Sequence, residues 1–189
     1  MNYTTWIEIN KNALNHNVDQ YDCWLSSSSG IAPVIKANAY GHGLTDIGLL
    51  HDQNSKIVRL CVANSQEGVD LRRAGVQKPI LVLGFINTSL QDIVDCNLDM
   101  IISDVATMHD LNAVSKKNNK KINVHLKIDT GLSRLGIFPS EFKMFMDELD
   151  LMSHLKLQGI CSHLIEACNH ESVHAQEEIL KPNYQHGIQ

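Results

Sequence analysis

The chain has 189 residues, 43% hydrophobic and 20% charged, which is enough for one domain with a hydrophobic core. Its 16 basic and 21 acidic side chains give a net charge of -5. That balance argues against a nucleic-acid surface, which clusters basic residues.

In chain order, helical spacing covers 10–25, and Ser26-Ser27-Ser28-Ser29-Gly30 makes a loop. An apolar run at 31–36 is expected as a strand. Helix 44–51, strand 59–62 and helix 65–74 come after it, the last opened by Asn64 as its cap and stopped at Gly75. Next come strand 80–83, helix 90–96, strand 100–102 and helix 105–118, which Asp104 caps. Strand 124–128, helix 140–151 with Ser140 as its cap, and strand 158–162 complete the regular pattern. A helix-like stretch at 175–180 is expected to stop at Lys181-Pro182.

Strands alternating with helices imply βα units and a parallel sheet covered by helices. The fold class expected is α/β. The period suits a (β/α)8 TIM-type barrel, and the six units present make it incomplete, since eight usually take about 250 residues. A complete doubly wound sheet is the other solution, and the pattern alone leaves both open.

The run Lys116-Lys117-Asn118-Asn119-Lys120-Lys121 reads as a solvated loop. The longest apolar stretch, Ile80 to Ile86, is too short for a bilayer, so no membrane partner is expected. Met1-Asn2-Tyr3-Thr4-Thr5-Trp6 has no basic region followed by an apolar one, and a cytoplasmic location is expected. Cys23, Cys61, Cys96, Cys161 and Cys168 include no CxxC pair and read as reduced, mostly buried thiols. Cys161, His163, Cys168 and His170 match no zinc spacing, so no metal site is expected. No GxGxxG or GxxxxGK[ST] pattern is present to suggest a nucleotide.

The segment with most chemistry is Val34-Ile35-Lys36-Ala37-Asn38-Ala39-Tyr40-Gly41-His42-Gly43. An apolar strand ends on a lysine, and two glycines frame the turn beyond it. In parallel barrels the active site gathers at such strand ends. A desolvated lysine there is nucleophilic and suits a Schiff base with a carbonyl cofactor. An ordinary surface lysine is the plainer alternative, and the physics alone does not choose.

This segment resembles, residue for residue, the cofactor-lysine segment of the alanine racemases, which use pyridoxal 5'-phosphate (PLP). The resemblance implies that Lys36 bonds the cofactor and acts as one of two catalytic bases, on the face that takes the D-isomer's α-proton. It implies that Tyr40 hydrogen-bonds the cofactor phosphate, while His42 is structural in the turn.

Two later segments agree. Lys127-Ile128-Asp129-Thr130-Gly131-Leu132-Ser133-Arg134-Leu135-Gly136 is similar to a second family motif. By that likeness Arg134 faces the cofactor's phenolic oxygen and the substrate carboxylate, a task suited to a guanidinium fork. Lys127 matches a lysine carbamylated in many members, and the carbamate would hold Arg134. An ion pair between Asp129 and Arg134 is the simpler alternative. Leu157-Gln158-Gly159-Ile160-Cys161-Ser162-His163 ends on a histidine that the likeness places against the pyridine ring, although Leu164-Ile165-Glu166-Ala167-Cys168-Asn169 departs from the usual continuation. The match runs from Trp6 to about Gln176.

The family's members are considerably longer. The resemblance implies that residues 1–189 are the N-terminal part of the PLP-binding barrel, without the last strands and the C-terminal β-domain. The second base, a tyrosine reaching across from a partner subunit, would lie in that missing part. The polar tail reads as a truncated gene product, a cloning boundary or a frameshift. The function implied is interconversion of L- and D-alanine, supplying D-alanine for peptidoglycan, in a homodimer for the full-length family. Serine or another small amino acid is an alternative substrate. A non-catalytic PLP-binding remnant, a PLP-homeostasis protein and an unrelated doubly wound protein are alternative readings.

Overall fold

A computed structural model describes residues 4–187. Met1, Asn2 and Tyr3 of the N-terminal segment, and Ile188 and Gln189 of the tail, lie outside the described residues. The chain divides into two compact units, one through Leu98 and one from Asp99.

The first unit opens with α1 (Lys11–Trp24), whose cap Asn10 accepts a hydrogen bond from the Ala13 amide. A short segment, α2 (Lys36–Tyr40), precedes α3 (Leu44–Asp52). Then come β1 (Leu60–Val62), α4 (Ser65–Arg73), β2 (Ile80–Val82) and α5 (Leu90–Asp95). The β1 and β2 strands pair in parallel, Leu60 opposite Ile80 and Val62 opposite Val82. All six of their residues are buried, because a parallel strand covered on both faces reads as continuously apolar. Leu60, Val62, Leu71, Ile80, Val82 and Ile93 are fully enclosed, and each such side chain contributes about 1.5–3 kcal/mol through burial.

The expected strand at 31–36 is not a strand. It is held beside the β1 region by two isolated parallel bridges, Ile31 to Ile57 and Val34 to Cys61. Pro33 lies between them and has no N–H for a ladder, so pairing is interrupted.

The second unit contains β3 (Asp99–Ile102), α6 (Val105–Lys117), β4 (Ile122–Lys127), a 3₁₀ turn (Pro139–Glu141), α7 (Phe142–Asp150), β5 (Leu155–Cys161) and α8 (His170–Gly187). Strands β3, β4 and β5 pair in parallel in that order, with a register shift at Val124/His125 against β5. Asp104 caps α6 through the Thr107 amide, and Asn64 caps α4 through the Glu67 amide, both as their spacing predicts.

Three expectations are corrected here. Ser140 caps nothing: Pro139 starts a 3₁₀ turn, and the Glu141 carboxylate accepts from the Phe138 amide at 2.7 Å. The fixed φ of proline favours a tight helical start. The final helix passes through Pro182 to Gly187, since a proline removes one hydrogen bond without ending the turns on either side. Among the cysteines only Cys61 is buried; Cys96 and Cys161 are half-buried, and Cys23 and Cys168 are exposed. The basic run is solvated as expected, with Lys116, Lys117, Lys120 and Lys121 all exposed.

Candidate functional site

Lys36 stands at the end of the bridged segment, directly after Ile35, which is buried and donates its amide to the Cys61 carbonyl at 2.9 Å. The Lys36 side chain is half-buried and makes no hydrogen bond or ion pair among the described residues. Past Lys36 the backbone takes an unusual course. Ala37, Asn38, Ala39 and Tyr40 have φ of 53°, 57°, 52° and 54°, a full left-handed helical turn. For L-residues this conformation costs about 1–2 kcal/mol each, and such strain concentrates at functional sites.

Several contacts hold the turn. The Asn38 side chain accepts from the Leu44 amide at 2.9 Å, and its carbonyl accepts from both Gly41 and Gly43 at 3.0 Å. The ring of His42 hydrogen-bonds the Ala39 carbonyl at 2.8 Å, in keeping with a structural histidine. Gly41 and Gly43, at φ of 92° and 96°, carry the chain out of the turn, where a side chain would be strained. Glu67, in the first turn of α4, spans two segments: one carboxylate oxygen accepts from the Ala37 amide at 2.7 Å, the other from Ala63 at 2.8 Å. The sequence reading passed over Glu67. Its only local signal is the position three residues after the cap Asn64, a spacing that predicts a capping box and not a tie to residue 37. Tyr40 is 61% exposed.

In the second unit, Lys127 ends β4 buried, opposite Cys161 of β5. Its ammonium makes no hydrogen bond or ion pair among the described residues. Burial pushes the Cys161 thiol up to about 11, against the pull of the Lys127 charge. Beyond Lys127 the chain loops and returns: Ile137 donates to the Lys127 carbonyl, and Asp129 donates to the Ile137 carbonyl, both at 2.9 Å. Asp129 Oδ1 accepts from the Gly131 and Ser133 amides at 2.8 and 3.0 Å, and these two bonds hold its carboxyl below the usual range. That carboxylate therefore organises the loop instead of pairing with Arg134. Arg134 is exposed on the same loop and has no hydrogen bond or ion pair among the described residues.

His163 lies just past β5 and is exposed, while its carbonyl accepts from Gln176 of α8 at 3.1 Å. The second unit thus gathers Lys127, Arg134 and His163 on consecutive strand ends, and the first holds Lys36 and Tyr40 on one turn. Gln176 also escaped the sequence reading, since a glutamine within a polar helix carries no local signal. Among the described residues no group of three or more His, Cys, Asp or Glu could hold a metal ion. No helix among them is long and apolar enough to cross a membrane.

Parallel βα units, with a half-buried lysine on a strained turn at the end of a strand-like segment, define a class of α/β barrel proteins that build sites on strand ends. The comparisons with known proteins narrow this. Residues 9–185 match the family model "Alanine racemase, N-terminal domain", and the chain belongs to that family. It is 34% identical over 177 residues to an alanine racemase of Halothermothrix orenii, covering 92% of this chain and 46% of that protein. It is 34% identical over 166 residues to one of Methylacidiphilum infernorum, covering 86% and 42%. Among solved structures it resembles an alanine racemase of Clostridium difficile 630 in complex with cycloserine, with a TM-score of 0.89, 29% identity, and coverage of 98% and 52%. The fold class is the TIM-type barrel of that N-terminal domain, carried here in part. The chain spans about half the length of the curated relatives it matches.

Proposed function

We propose that the chain is the cofactor-carrying part of a PLP-dependent racemase that interconverts L- and D-alanine. The observation that carries this reading is Lys36: a half-buried amine without a partner among the described residues, at the end of a strand-like segment and the start of a strained left-handed turn. The residues of each unit suit PLP. The first offers a primary amine for the aldehyde and a tyrosine hydroxyl for the phosphate, and the second offers a guanidinium for the phenolic oxygen. When bound, PLP supplies an electron sink for a carbanion.

Each side chain then has a task. Lys36 would hold the cofactor through its Nζ and, with that amine free, would accept or return a proton on one face of the substrate. Tyr40 is exposed, and its hydroxyl donates to phosphate oxygens. Arg134 has its whole fork available for a phenolate and a carboxylate. His163 would flank the pyridine ring. Lys127 is buried and makes no ion pair among the described residues, and a carbamate formed there from carbon dioxide, with one amine proton released to solvent, would accept from Arg134. The wider reading, a homodimer supplying cytoplasmic D-alanine for peptidoglycan, rests on family membership alone.

The test is borohydride reduction of the purified chain with PLP, followed by peptide mass spectrometry. A phosphopyridoxyl group on Lys36, lost in Lys36→Ala, is the expected result. An unmodified Lys36 in a chain that circular dichroism reports as folded would sink the proposal.

A further inference from the structure

We infer that Gln176 is a positioning residue for His163 and, through Thr130, for the loop that bears Arg134; this rests on the proposed cofactor-facing roles of those two residues. Gln176 is 3% exposed, the most enclosed polar side chain among the described residues of α8. Its Nε2 donates to Thr130 Oγ1 at 2.6 Å and to the His163 carbonyl at 3.1 Å. Its Oε1 accepts from the Ile165 amide at 3.1 Å. Both N–H groups of the amide are therefore used, and so is its oxygen.

The two backbone contacts flank Leu164, so one side chain grips the peptide groups on either side of it. The direction in which the chain leaves His163 is set by that grip. Thr130 receives the Gln176 proton and has its own hydroxyl proton left for Ser162, whose Oγ lies at 2.7 Å. The relay thus ties α8 to the ends of β4 and β5 at once. Thr130 comes directly after Asp129, whose carboxylate shapes the loop to Ser133, and Arg134 is the next residue.

Packing alone does not explain an amide here. A buried polar group is costly unless satisfied, and leucine or methionine would fill the same space without that demand. What the amide adds is direction, because its bonds are made only in one arrangement. Linked donors also reinforce one another in a low-dielectric setting.

The experiment uses the full chain with ¹³C-labelled histidine, His163 being assigned by His163→Asn. Wild type is expected to give one sharp His163 ring signal. Gln176→Met and Thr130→Val are expected to split or broaden it, with the His51 and His125 signals unmoved and Thr130→Ser restoring the original. A His163 signal unchanged in a folded Gln176→Met chain would overturn the inference. Should that variant fail to fold, Thr130→Val decides in the same way, since it removes the acceptor that fixes the Gln176 amide against His163 and Ile165. Apparent PLP affinity, read by titration, should also fall about tenfold in Gln176→Met, the effect of roughly one hydrogen bond's net worth. Unchanged affinity would count equally against it. A wild-type chain that takes up no PLP would sink the proposed function, while the His163 spectra would still decide the role of Gln176.

Discussion

At the scale of single residues, Glu67 and His51 make opposite demands on their surroundings. Glu67 satisfies two amides from segments far apart in sequence, Ala37 and Ala63. Removing its carboxylate by Glu67→Ala orphans both, so urea unfolding should lose about 1–3 kcal/mol. Glu67→Gln keeps one acceptor and should recover part of that loss. Equal stability of the alanine variant and wild type would mean that the tie to Ala37 is not made in solution. His51 is buried with Nδ1 unpartnered, and burial holds its imidazole below the ordinary 6.5. The unfolded chain therefore takes up a proton near pH 6.5 while the folded chain does not. Stability from this group is complete above that pH and declines as the pH falls below it. Denaturation midpoints at pH 7.5 and pH 5.5 should differ more for wild type than for His51→Leu. An identical difference in the two proteins would remove His51 from the acid response.

At the scale of elements, the left-handed turn after Lys36 has the least ordinary backbone among the described residues. Ala37 is exposed at φ 53°, so its Cβ contributes steric cost and little packing. Ala37→Gly should raise stability by up to about 1 kcal/mol, the reverse of the usual effect of glycine in a helix. A lowered urea midpoint would contradict the left-handed assignment. Gly136 poses the opposite case: at φ +134° an added Cβ would sit 2.5 Å from the Asp129 amide nitrogen. Gly136→Ala should therefore deform the Arg134 loop, read as faster proteolysis between Asp129 and Ile137 with helix content by circular dichroism little changed. Most elements were legible beforehand, because amphipathic spacing and caps at Asn64 and Asp104 are local properties. The segment 31–36 was not, since its apolar run hides the missing N–H of Pro33. Ser140 failed as a cap because Pro139 starts the turn one residue earlier.

At the scale of the whole molecule, the chain spans about half the length of its curated relatives. Racemisation removes a proton from one face and returns one to the other, and a positioned acid or base contributes typically 10²–10⁴-fold. With Lys36 as the base of one face, Lys36→Ala should slow exchange of the alanine α-proton with solvent deuterium at least about a hundredfold. Proton NMR in deuterated water beside the Lys36 labelling assay would check this. An unchanged rate would take the proton-transfer role from Lys36.

The sequence by itself determined what is local. It set the alternation of strands and helices, most caps, and the order of the lysine, tyrosine, arginine and histidine that carry the proposed chemistry. Periodicity and side-chain identity act over a few residues, so one dimension suffices to read them. Only the tertiary structure decided how those residues are held. Glu67 reaches Ala37 across 30 positions and Gln176 reaches Thr130 across 46, and neither bond has a signature in its own segment. The left-handed turn at Ala37–Tyr40 belongs with them. Its backbone is unfavourable residue by residue and persists because hydrogen bonds from Asn38, His42 and the distant Glu67 offset the strain.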